Sequence, residues 1–247
     1  MKILVCISKT PDTTSKISFT DNNTKFDTSN VQYIINPYDE WYALVRAIEL
    51  KEQNGGTVTT ITVGTASDEA VAIRKALAIG ADDAVRINAE AGDAYYTAFQ
   101  IAEYAKENQY DIIFTGKETI DYNGSQVGGM IAEILNSPFI SYASKLDKEG
   151  DNLLIEREIE GGKETIQAST PVVISAAKGL AEQRIPNMRG IMQARMKPLK
   201  VVEPKECLAF TDVVSYEIPS EKSACRMVDS ENISELVSLL KNEAKVI

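Results

Sequence analysis

One stretch of this chain combines residue types and spacing suited to holding a nucleotide. Gly116-Lys117-Glu118-Thr119-Ile120-Asp121-Tyr122-Asn123-Gly124-Ser125-Gln126-Val127-Gly128 joins the end of an apolar run to the start of a strongly amphipathic one. Free backbone N–H groups at a helix start attract phosphate, and ligands of open α/β sheets bind outside the carboxyl ends of strands. Gly124 lets a ligand approach the backbone, Ser125 and Gln126 offer donors, and the Asp121 carboxylate accepts from a ribose or base. The pattern is neither a P-loop nor a Gly-x-Gly-x-x-Gly fingerprint. A capped turn without ligand is the bland alternative.

A second stretch, Arg184-Ile185-Pro186-Asn187-Met188-Arg189-Gly190-Ile191-Met192-Gln193-Ala194-Arg195-Met196-Lys197-Pro198-Leu199-Lys200, carries basic residues and no acid in a chain of net charge −10. Met188, Met192 and Met196 recur every fourth position, so a helix would put them on one face. Methionine is flexible and polarisable and suits surfaces that accept several partners. Docking onto acidic protein surfaces is the expectation. A core helix with solvated arginines is the alternative.

Other chemistry is excluded. There is no histidine, so Ser-His-Asp triads, Cys-His pairs and His-ligated metals cannot come from this chain. The acidic balance argues against nucleic acid. Cys6, Cys207 and Cys225 are too scattered for a disulfide framework, which reads as a reducing compartment. The apolar run Ile3 to Ile7 is too short for a signal-peptide core, and nothing approaches a membrane span. A soluble, cytoplasmic protein is expected.

The elements that must position these segments follow from periodicity. With 44% apolar and 25% charged residues, the chain is globular in composition. Ile3 to Ile7 reads as a strand buried on both faces. Asn36-Pro37 breaks the chain before a helix carrying Trp41, Leu44, Val45 and Ile48. Thr57 to Val63 is a strand stopping at Gly64; Ala70 to Ile79 is a helix closed by Gly80. Ala84 to Ile87, Asp111 to Thr115 and Pro171 to Ala177 read as strands, and Ala94 to Lys106 as a helix. Val127, Met130, Ile131, Ile134 and Leu135 form one apolar stripe. Leu153 to Ile159 and Thr165 to Ser169 flank Gly161-Gly162 as a hairpin. This alternation predicts an α/β fold, Rossmann-like, with a mostly parallel twisted sheet and helices on both faces. Residues 1–178 would form the nucleotide-binding domain, with a hairpin insertion near 150–168. Residues 179–200 would form a docking segment, and 201–247 an extended arm and final helix on a partner subunit, Ile233, Leu236, Val237 and Leu240 sharing its face. The arm folding back on its own domain is the alternative.

Taken together, these segments resemble the beta subunit of electron transfer flavoprotein over nearly the full length. The matching pieces are Lys2 to Asp12, Asn36-Pro37 with the acidic helix start, Arg74 to Asp82, Gly116 to Gly128, Glu156 to Gly162, and Pro186-Asn187-Met188-Arg189-Gly190-Ile191-Met192. The resemblance implies an electron-carrier heterodimer rather than an enzyme. The alpha partner carries FAD, and this chain holds a second nucleotide, AMP in the common form or FAD in the electron-bifurcating form. It implies a nucleotide site at Cys6, Asn36, Pro37, Tyr38, Asp39, Gly64, Gly116, Asp121, Asn123, Gly124, Ser125, Gln126 and Val127. It implies docking of flavin dehydrogenases, such as acyl-CoA dehydrogenases, through Arg184, Met188, Arg189, Ile191, Met192 and Arg195, with Met188 where the family has an anchoring leucine. Glu158 matches a glutamate that steers the flavin domain. Electrons would reach the electron transfer flavoprotein-quinone oxidoreductase. The loop departs from the family: Tyr122, Asn123, Gly124 and Ser125 differ from the bifurcating pattern Asp-Gly-Asp-Thr-Ala-Gln-Val, while Asp121, Gln126 and Val127 fit it. The AMP form often has Asn-Gln-Thr where Ser125-Gln126-Val127 stand. AMP is the expected nucleotide. The rivals are a stand-alone adenine-nucleotide sensor and an ATP-using ligase or pyrophosphatase. The second would need a glycine-bearing phosphate loop that Ser8 to Ser15 lacks.

Overall fold

The computed structural model describes residues 1–220, 222 and 224–247. Along the chain lie β1 (Lys2–Cys6), β2 (Lys9–Pro11), β3 (Phe19–Thr20), β4 (Lys25–Phe26), β5 (Tyr33–Ile35), α1 (Asp39–Asn54), β6 (Thr57–Gly64), a π-helical turn (Glu69–Ile73) running into α2 (Arg74–Ile79), and β7 (Asp83–Asn88). Then follow α3 (Ala94–Asn108), β8 (Ile112–Gly116), α4 (Val127–Leu135), β9 (Phe139–Glu149), β10 (Asn152–Ile159), β11 (Gly162–Ser169), β12 (Val172–Ala176), α5 (Met188–Ala194), β13 (Leu199–Val202) and α6 (Ile233–Ser238), which continues as a π-helical turn (Leu239–Glu243).

A nine-stranded sheet has the order β11-β10-β9-β12-β8-β1-β6-β7-β13. From β9 to β13 all neighbours pair parallel, and β10 and β11 extend that edge antiparallel. The chain steps from β1 outward through β6 and β7, then returns to β8 on the other side of β1. The order therefore reverses between β1 and β8, and the loops after these strands flank a crevice.

The period of two in a strand splits each apolar run between two cores. Ile3, Val5, Ile112 and Phe114 enter one core, with α1, α2 and Ala194 of α5. Leu4, Cys6 and Ile113 enter the other, with α3 and α4. The expected α/β fold with helices on both faces is what forms.

Two features differ from the sequence expectation. The Gly161-Gly162 hairpin is not a separate insertion: β10 pairs with β9, which itself joins β12 in the main sheet. The boundary expected between residues 200 and 201 falls inside β13, which pairs with β7 as the outermost parallel strand. Residues 9–35 form the small pairs β2-β5 and β3-β4.

Of the expected arm, the first part lies on its own domain. The Gln100 side chain donates to Lys205 O at 2.7 Å and accepts from Lys205 N at 2.8 Å. Asp93 Oδ2 accepts from the backbone of Phe210 and Thr211, and Tyr216 stacks on Phe19 with ring centroids 4.6 Å apart. Leu208, Val214, Met227, Ile233, Leu236 and Val237 stay exposed. Glu221 and Ser223, which the expected arm includes, lie outside the described residues. Among the described residues, no helix is long and apolar enough to cross a membrane.

Candidate functional site

The site is built at the carboxyl ends of β1, β6 and β8. Parallel pairing brings these ends side by side, so residues distant in sequence, Cys6, Gly64 and Gly116, share one edge. Pro37, which cannot continue β5 as a hydrogen-bonded strand, turns the chain into α1. Asp39 and Glu40 in its first turn complement the helix dipole.

The residues around this turn act as a latch. Asn36 is fully buried; its Nδ2 donates to Glu118 O at 3.0 Å and its Oδ1 accepts from Ile120 N at 3.3 Å. Asp39 Oδ2 accepts from Glu118 N at 3.3 Å. Burial pushes the Asp39 carboxyl up, and the Lys117 ammonium partly offsets that. Ser8 donates its N–H and its hydroxyl to Glu40, at 2.7 and 2.8 Å. Gly116 is required by this packing: a Cβ there would stand 2.8 Å from Glu40 Cγ and 3.1 Å from Glu40 N. The loops after β1 and β8 are thus both fastened to one helical turn.

From Asn123 to Ser125 the loop turns outward, with both residues in the left-handed region (φ 48° and 53°). The Lys117 ammonium first, and the Asn123 and Ser125 side chains with it, hold the Glu118 carboxyl below the usual range. Asp121 is exposed and, among the described residues, accepts only from the adjacent Tyr122 N–H, at 3.0 Å. Gly124 faces open space. Among the described residues no side chain caps the start of α4, which leaves its first amides for an anion. This donor set fits a nucleotide: amides for phosphate, a carboxylate for a ribose or base, and no side chain over Gly124.

The structure brings most of the expected site residues together and gives them unequal roles. Gly116 packs on Asp39 and Glu40, and Asp39 and Asn36 both bind the loop. The Asn36 amide is spent within the chain. Cys6 is buried behind the edge, its thiol pushed up by burial and then by the Glu40 charge. Gly64 packs on Asp68, whose carboxylate accepts from Thr65 N at 2.7 Å. Tyr38, Asp121, Gly124, Ser125 and Gln126 are exposed. Glu158 is exposed and lines a cleft of about 380 Å3 with Asp39, Lys117, Glu118 and Tyr142, next to the loop. Ser8, Glu40 and Tyr142 were not expected there. An acidic pair after Asn-Pro was a signal for Glu40; nothing in the sequence pointed to Tyr142.

The basic segment forms a separate surface. Met188 opens α5, where the Asn187 side chain accepts from Gly190 N at 2.8 Å. Ile185, Met188, Met192 and Met196 are 82, 74, 69 and 90% exposed. Ile191 is exposed too, as are Arg189 and Arg195. Met196 lies beyond the helix end, so the stripe is shorter than the spacing suggested. Arg184 pairs at the surface with the Glu52 carboxylate at 2.8 and 3.0 Å. The backbone beneath is fixed: Arg74 Nη1 donates to Ala194 O and Lys197 O at 2.8 and 3.1 Å, and Lys197 Nζ to Leu77 O and Ala81 O.

Comparison with known proteins adds an independent line. The family model described as "Electron transfer flavoprotein domain" matches residues 23–206. The chain is 37% identical over 261 residues to the "Electron transfer flavoprotein subunit beta" of Bacillus subtilis, with all of both chains covered. It is 31% identical over 256 residues to the human protein of that name, covering 100% of this chain and 99% of the other. It is 34% identical over 210 residues to the "Acryloyl-CoA reductase electron transfer subunit gamma" of Anaerotignum propionicum, covering 82% of this chain and 78% of that one.

Proposed function

The chain belongs to the electron transfer flavoprotein beta-subunit family, and we propose that it carries a structural AMP while serving electron transfer between flavin dehydrogenases and a quinone oxidoreductase. The observation that carries the AMP reading is the Gly116–Val127 loop, latched at the reversal of strand order and ending on the uncapped start of α4. A nucleotide bound there only in the folded state stabilises the chain by mass action.

An alpha partner would hold FAD, which supplies the redox chemistry; this chain supplies position and charge. Its Met188–Ala194 face, with Arg189 and Arg195, would meet dehydrogenases such as acyl-CoA dehydrogenases. A small apolar anchor suits brief encounters with several partners. The relative named for acryloyl-CoA reductase supports a link to acyl-CoA chemistry. Glu158, beside the loop, would face the mobile flavin domain. The exposed apolar face of α6 and the outer arm would clasp the alpha subunit.

A second reading has its own support: Gln126 and Val127 match the bifurcating pattern, in which this site holds FAD. Co-expression with the alpha partner, followed by mass spectrometry of released nucleotides, separates the two. One FAD with one AMP is expected. Two FAD would replace AMP by the bifurcating assignment, and a complex without adenine nucleotide on this chain would end both. Asp121→Ala should lower the co-purifying AMP.

A further inference from the structure

Glu40 is 6% exposed and its carboxylate is bound by the Ser8 amide and hydroxyl, neither of them a cation. The charged groups that act on it are of like sign: Asp121 on the β8–α4 loop and Asp39 on its own helix. The Cys6 thiol faces it from β1, and the Lys117 ammonium acts on Asp39. A buried carboxylate in that company favours its neutral form. Burial first, then Asp121 and Asp39, push the carboxyl up to about 7 against the two Ser8 bonds. Gly116 rests on the same side chain. One side chain therefore lies between the ends of β1 and β8, the two strands that flank the crevice, with its carboxylate on Ser8 after β1 and its Cγ against Gly116 at the end of β8.

We propose that Glu40 is a positioning residue for the nucleotide site, taking up a proton from solvent when an anionic nucleotide binds and releasing it when the nucleotide leaves. The proposal rests on the nucleotide reading above. A phosphate brings further negative charge to a carboxyl already among acids, so it stabilises the neutral form. By linkage the proton then favours the nucleotide to the same degree. On protonation one contact reverses, the carboxyl O–H donating to Ser8 Oγ while the other oxygen keeps the Ser8 N–H.

The test is calorimetric titration of AMP, then FAD, into the nucleotide-stripped full-length chain between pH 6 and pH 8.5. Two buffers of different protonation enthalpy count protons. In the wild type, AMP affinity should fall about tenfold across this range, the equivalent of a one-unit shift in one group. Glu40→Gln should flatten that fall and lower the proton count; the titration of AMP's own phosphate is common to both and cancels. Ser8→Ala, which removes a donor to the charged carboxylate, should move the midpoint to higher pH. A Glu40→Gln protein with the wild-type profile, or with a loss equal at every pH, overturns the proposal. If that variant does not fold, an unmoved midpoint in Ser8→Ala overturns it. A wild type that binds neither nucleotide at any pH removes the nucleotide reading itself, a result distinct from either variant's failure.

Discussion

At the carboxyl edge, Asn36, Asp39 and Glu40 turn inward and spend their polar atoms on Ser8, Glu118 and Ile120. In the Arg184–Met196 segment the reverse holds: the backbone is tied down by Arg74 and Lys197, while Ile185, Met188 and Met192 point into water. Both regions are fastened to the core by hydrogen bonds. They differ in what is left over. The edge leaves backbone amides and one exposed carboxylate, the complement of a small anionic ligand. The segment leaves large apolar side chains among cations, the complement of a protein surface. Apolar residues left exposed on a fixed backbone mark recognition rather than stability.

Breaking the edge should cost most. Asn36→Ala strands Glu118 O and Ile120 N, each worth about 1–3 kcal/mol when left unpaired in a buried site. Urea unfolding should show a loss of about 3 kcal/mol, with less nucleotide retained. A loss below about 1 kcal/mol would mean that the loop holds itself and that the latch is decorative.

The next largest effect is on pH. The Glu40 carboxyl rises on folding from its ordinary 4.5 to about 7, so the folded state binds the extra proton. Its contribution is fully favourable below pH 4.5 and is lost as pH rises through 7, on the order of 3 kcal/mol in all. Unfolding free energies measured from pH 4.5 to 8 should carry this slope, and Glu40→Gln should remove it. The Arg184–Met196 segment holds no such group, so Arg189→Gln should leave the slope intact.

How much of this was legible in the sequence differs between the regions for physical reasons. The run Ile3 to Ile7 and the stripe from Val127 to Leu135 announce themselves because burial imposes a period. The site loop was legible through its glycine and its place between them. Asn36 was legible only through family resemblance, since its partner lies 82 residues away. The acidic pair after Asn-Pro marked Glu40, but nothing in the sequence showed that it would be buried against Ser8. β13 was missed because Lys200 and Val201 of this edge strand are exposed, and Pro198 and Pro204 bracket it like a linker. The β9 bulge that turns Tyr142 to a left-handed conformation leaves no mark in the composition.

A smaller effect should follow from loosening the Arg184–Met196 segment. Arg74→Ala removes two hydrogen bonds to the carbonyls at and beyond the end of α5. Stability should drop by about 1 kcal/mol, and trypsin should cut after Arg189 or Arg195 faster than in the wild type. Unchanged cleavage would show that Lys197 alone, through Leu77 O and Ala81 O, fixes the helix.

The smallest effect on stability is expected where the effect on partners is the point. Met188→Ala together with Met192→Ala removes apolar surface already in water, so the unfolding free energy should change by no more than about 0.5 kcal/mol. The nucleotide content should stay the same, because neither side chain reaches the edge. Electron acceptance from a flavin dehydrogenase should nevertheless slow, and Arg189→Glu with Arg195→Glu should slow it further and change its salt dependence, since rim charges act on encounter rates. A stability loss above about 1 kcal/mol would place the methionines in the core and erase the contrast between the regions. Unaltered acceptance with unaltered stability would keep the contrast and remove the docking role.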